Sequence, residues 1–134
     1  MFAAMLFAIS IVALSQFAAY YWRAMLAGAA AQPVSARMLA AAGVQNGQLT
    51  GQHFPALLGL HDLTPELHSG GKGLGLVRGY YALVDGIATL AGRSMPAVAA
   101  WSERELAVCA RYAAVQIDRR LQANLKLAAS LRSC

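Results

Sequence analysis

Apolar positions dominate from Met1 to Trp22, interrupted only by uncharged Ser10, Ser15 and Gln16, and no Asp, Glu, Lys or Arg precedes Arg23. A helix rises about 1.5 Å per residue, so this stretch reaches roughly 30 Å, the thickness of a bilayer core. It reads as one membrane-spanning helix. Tyr20, Tyr21, Trp22 and Arg23 are its expected membrane-interface anchors, with amphipathic rings at headgroup level and a cation able to snorkel. Within the span, Ala4, Ala8, Ile11, Ser15 and Ala18 form a mostly small stripe, whereas Phe2, Met5, Ile9 and Val12 offer bulkier groups to lipid. Small residues allow helices to approach closely, and an amide such as Gln16 seeks a partner in an apolar medium. Ala4, Ala8, Ile11, Ser15, Gln16 and Ala18 are therefore the expected partner-helix contact.

The apolar pattern then changes period and predicts four further helices. The first helix is expected to run to about Ala30, with Pro33 closing it. Ser35 suits the N-cap of a short helix through Ala42, and Gly43 suits its C′ position. Gln45-Asn46-Gly47 reads as a turn. Thr50 is the expected cap of a helix over residues 51–61, whose inner face is Phe54, Leu57, Leu58 and Leu60. Pro55 falls where a missing N–H costs least. A loop is expected over residues 62–73, followed by a helix over 74–92 that is apolar nearly all round. One of its stripes is Leu74, Val77, Tyr81, Val84, Ala88 and Ala91, and the other is Leu76, Gly79, Leu83, Gly86 and Leu90. Such a helix buries itself in a core, at a partner or against membrane. Arg78 and Asp85 in its middle argue against a second span. The strongest start signal is the capping box Ser102–Glu105, with Trp101 and Leu106 at staple spacing, although an earlier turn at Pro96 fits as well. The long terminal helix that follows carries a stripe through Cys109, Ala113, Ile117, Leu121, Leu125 and Ala128.

The fold class is therefore all-α: residues 1–31 as a transmembrane helix with its membrane-proximal extension, and residues 32–134 as a small domain of about four helices ending in a long one. Composition agrees. Of 134 residues 58% are hydrophobic and 13% charged, against about 25% charged in ordinary soluble domains. The excess of apolar surface suggests that the domain buries area against something else. A cleaved secretory signal is the rival reading of residues 1–31, since Ala27-Gly28-Ala29 and Ala29-Ala30-Ala31 are small-x-small patterns. The missing basic n-region and the length of the apolar run count against it.

Net charge is +5, all of it after Trp22. Arg23 and Arg37 beside the span predict an N-terminus outside and a cytoplasmic domain. Cys109 and Cys134 lie about 37 Å apart on one continuous helix, too far to bridge, which fits a reducing compartment.

Candidate chemistry is sparse. Ser69-Gly-Gly-Lys-Gly-Leu-Gly lacks phosphate-loop spacing and reads as a flexible helix entry. His53, His61 and His68 make no metal-ligand pattern, and no metal or cofactor is expected. Scattered arginines without an aromatic platform give no nucleic-acid signature. The leading expectation is a non-enzymatic single-pass accessory subunit that packs against and stabilises a larger integral membrane complex. Its partners are then larger integral subunits and the lipid bilayer, with a homo-oligomer admitted by the same stripe. A ligand-binding or signalling module with a pocket near Tyr80, Tyr81, Tyr112 and Trp101 is the first alternative. A membrane-tethered enzyme using His61 with Asp62 or Asp85 is the second.

Overall fold

The computed structural model describes residues 2–64, 72–91 and 93–133. The run from Ser69 through Gly71, with Glu66, His68 and Cys134, lies outside the described residues. Among the described residues five α-helices follow in order: α1 (Phe2–Ala30), α2 (Ala36–Ala41), α3 (Phe54–Leu63), α4 (Lys72–Ala91) and α5 (Pro96–Arg132). A 3₁₀ turn over Gly51–His53 leads into α3. No strand occurs among the described residues, so the protein is all-α, with a long apolar helix first and a long helix last. α1 is the one helix among the described residues long and apolar enough to cross a membrane.

Local chemistry explains most boundaries. Ser35 Oγ accepts from the Met38 N–H and donates to Asp118 Oδ1 at 2.5 Å, so one hydroxyl both caps α2 and pins it to α5. Gly43 follows α2 with φ +76°, the left-handed geometry that glycine adopts without strain. Thr50 starts the 3₁₀ turn, where its N–H donates to His53 Nδ1. Pro55 sits in the first turn of α3.

α5 begins six residues before the expected capping box. Pro96 opens it, and Ser102 and Glu105 lie inside the helix. There the Ser102 hydroxyl donates back to the Ala99 carbonyl at 2.8 Å instead of capping an N–H. Helix-forming Ala97, Ala99 and Ala100 extend the helix across the apparent start signal, and Glu105 is free for another task.

α5 is the spine. It touches α1, α2, α3, α4 and the 3₁₀ turn. Its buried side includes Cys109, Ala110, Ala113 and Ala114, small residues that let the other helices approach closely, together with Ile117. The expected continuation through Leu121 and Leu125 is exposed, because no helix reaches that far along α5. Phe54 and Leu57 of α3 and Leu74 and Val77 of α4 fill the same core. The Phe54 ring stacks on Tyr81 at 4.1 Å. Gly51 allows α5 to pass, since a Cβ there would stand 2.5 Å from Leu106 Cβ.

α4 divides its two apolar stripes. Leu74, Val77 and Val84 are buried against α5, while Leu76, Leu83 and Leu90 are exposed. α4 and α5 are antiparallel: Gly73 lies by the Tyr112 hydroxyl, and Tyr80 bonds Glu105. α1 and α5 are parallel, since Arg23 meets Glu105 and Gln32, just past the end of α1, meets Arg119.

Candidate functional site

The densest polar constellation lies where the exposed part of α1 meets the domain. Arg23 Nη2 donates to Glu105 Oε1, and the Tyr80 hydroxyl donates to Glu105 Oε2 at 2.9 Å. Glu105 is buried, while the Arg23 side chain is 58% exposed. Trp22 packs edge-on against Tyr80, with ring centroids 5.9 Å apart. One carboxylate thus ties α1, α4 and α5 together. Leu26 and Ala30, one and two turns further along α1, are buried in the core beneath it.

Glu105 also shapes the acid–base character of its neighbours. Burial, the hydrogen bond to Glu105 and its negative charge push Tyr80 up to about 12. Burial and the same charge push the Cys109 thiol up to about 12. Tyr81 is raised by burial and then by Asp85. A phenol and a thiol held neutral so firmly are suited to packing, not to nucleophilic attack.

Beside this junction an open apolar groove of about 560 Å³ is lined by Ala18, Ala19, Trp22, Leu76, Tyr80 and Trp101, with Arg23 at its edge. Of the four aromatic residues expected around one pocket, only Tyr80 and Trp101 share it. Tyr81 stacks on Phe54 and donates to the Gly51 carbonyl, and Tyr112 is buried near Gly73.

The expected interface anchors divide in two. Tyr20 and Tyr21 point outward, 75% and 67% exposed, whereas Trp22 and Arg23 turn to the domain. The expected helix-contact residues Ala4, Ala8, Ile11, Ser15, Gln16 and Ala18 are all exposed. At about 100° per residue, Ala4, Ala8, Ile11, Ser15 and Ala18 fall on the side of α1 that carries Trp22 and Leu26 lower down. Gln16 lies off that line. The Ser15 hydroxyl is satisfied by the Val12 carbonyl at 2.8 Å.

His61 and Asp62 are adjacent, with Nδ1 and Oδ1 3.5 Å apart, and His61 Nε2 is buried. Asp85 lines a different groove, with Thr50, Tyr81 and Glu103. His61 and Asp85 are thus not brought into one cleft. Among the described residues, no group of three or more His, Cys, Asp or Glu side chains is placed to hold a metal.

Sequence reasoning missed Glu105 as the keystone and Asp118 as the anchor of Ser35 and Gln122. The available signal was an acid in line with a small apolar stripe, four residues before Cys109 in one case and one after Ile117 in the other. The fold defines an all-α protein in which a single long apolar helix is built into a helical domain. No protein-family model, curated protein or solved structure matches the chain.

Proposed function

We propose that the protein is a non-enzymatic, single-pass accessory subunit that packs beside a larger integral membrane protein and steadies it. One observation carries this reading. α1 passes without a break from residues 2–21, all exposed, to Leu26 and Ala30, both buried in the domain. A simple tether needs only a flexible linker. A helix docked at its base fixes the orientation of the domain to the span, which suits a part that must present a set surface to a neighbour. The small-residue side of α1 is the contact surface in this reading, and Arg23 and Arg37 beside the span favour a cytoplasmic domain.

Native purification in mild detergent, followed by identification of what accompanies the protein, tests the proposal. A stoichiometric integral partner is expected, lost on Ala8→Phe and retained on Ile9→Phe. A monodisperse monomer without a partner removes the basis for the reading. Protease protection in sealed membranes tests the orientation, and cleavage of the domain from the outer face would reverse it.

The apolar groove favours one second reading, a small apolar ligand held between Trp22, Leu76 and Trp101. Its openness to the surface of α1 makes the medium around that helix the first ligand to consider.

A further inference from the structure

This inference rests on the reading of α1 as a membrane span. α5 runs parallel to α1 and α4 runs antiparallel to α5, so from Tyr80 onward the α4–α5 hairpin continues past Arg23 toward the N-terminal end of α1. Trp101, which lines the groove with Ala18 and Ala19, keeps the start of α5 on that course. Ala91, the last residue of α4, lies about 16 Å beyond Tyr80 along the helix. The medium that surrounds α1 between Leu14 and Tyr21 therefore also reaches residues 83–95.

The large apolar side chains exposed there are Leu83 (58%), Ile87 (37%), Leu90 (87%) and Met95 (57%). At about 100° per residue, Leu83, Ile87 and Leu90 share a face with Leu76. Leu76 lines the groove against α1, so this face is continuous with the apolar surface of the span. Arg78, Asp85 and Thr89 follow a separate flank of α4. From Tyr80 onward the exposed charges of the hairpin balance, Arg93 and Arg104 against Asp85 and Glu103.

We propose that the α4–α5 hairpin is a second membrane-contacting element. It dips into the leaflet that α1 leaves at Arg23, with Leu83, Ile87, Leu90 and Met95 facing the acyl chains and Leu90 deeper than Leu83. The bilayer is the occupant because the face joins the lipid-facing surface of α1 across the groove, where Arg23 lies at the level at which α1 leaves the membrane. The result is a protein held at two points, which fixes the tilt of its domain.

Single cysteines test this in the full chain carrying Cys109→Ala and Cys134→Ser. The sites are Leu14→Cys, Leu83→Cys, Leu90→Cys and Lys126→Cys, all at exposed positions. Each is labelled with an environment-sensitive fluorophore and reconstituted into phosphatidylcholine–phosphatidylglycerol vesicles containing acyl-chain nitroxide lipid. The expected result is loss of emission at 83 and 90 approaching that at 14, with none at 126. Strong quenching at 14 with 83 and 90 behaving like 126 overturns the hairpin contact and leaves the span intact. Blue-shifted but unquenched emission at 83 and 90 means that protein, not lipid, covers the face, and also overturns it. Absence of quenching at 14 removes the span itself, and this inference with it.

Discussion

The two halves of α1 share one backbone, yet one is exposed along its whole length and the other is docked. Leu14 is 74% exposed and Leu26 is 1% exposed. Residues 2–21 are all exposed, whereas Leu26 and Ala30 further along are buried. Hydrophobicity alone does not separate the halves. The boundary is set by two side chains, Trp22 and Arg23, that find partners on α4 and α5. Apolar residues in a lipid-facing helix are exchangeable for one another, whereas those in a packed core are matched in shape to their neighbours.

The sharpest test is the same substitution in each half. Leu26→Ala is expected to destabilise the domain by about 2–5 kcal/mol, from lost burial and the cavity left behind. Thermal unfolding in detergent micelles, followed by far-ultraviolet circular dichroism, measures it. Next in size is Gly51→Ala, which asks whether the domain can yield where α5 passes. Its Cβ would meet Leu106 at 2.5 Å, and a loss of about 1–3 kcal/mol is expected in the same assay.

Glu105→Gln weakens the boundary itself. It keeps an acceptor for the Tyr80 hydroxyl but removes the charge facing Arg23. Because Arg23 is more than half exposed, the expected cost is only about 1 kcal/mol.

Alkaline pH acts on the docked region through Tyr80 and Cys109. Cys109 and Tyr80 have raised values in the folded state, so the stability linked to them is complete below their ordinary values of 9 and 10. It is lost as pH rises through about 12. Melting temperature should therefore fall with pH across that interval, and less steeply in Cys109→Ala with Tyr80→Phe. An unchanged slope would refute the link to these groups. Leu14→Ala is the smallest effect: no measurable change in domain unfolding, which completes the contrast with Leu26→Ala.

Much of this architecture was legible because it is written locally. The absence of charge before Arg23, the Ser35 cap, Gly43 after α2, the Thr50 start and the Phe54–Leu57 face each depend on neighbours within one or two turns. The inner stripe of α4 was legible for the same reason, though periodicity could not tell which of its two stripes would be covered. The Ser102–Glu105 box misled because its residue types fit a cap equally well as a helix interior preceded by alanines, and Pro96 was the decisive signal. Glu105 and Asp118 were illegible as anchors. Their roles exist only once α5 lies beside α1 and Ser35, and no spacing within α5 encodes that pairing. The groove was half legible: Tyr80 and Trp101 belonged together, but Trp22 and Leu76 joined them only through the parallel docking of α1.

That docking also imposes an order in time. The bonds closing α1 and its following segment onto α5 join residues 82, 83 and 87 positions apart. At synthesis rates of about 5–20 residues per second, roughly 4–16 s separate the emergence of Arg23 from that of Glu105. Throughout that interval Leu26 and Ala30 have no α5 to cover them, and a closure across so many residues cannot form early. Formation of the first helix and completion of the domain are thus separate events. Whatever surrounds α1 first is met before its own domain can close on it.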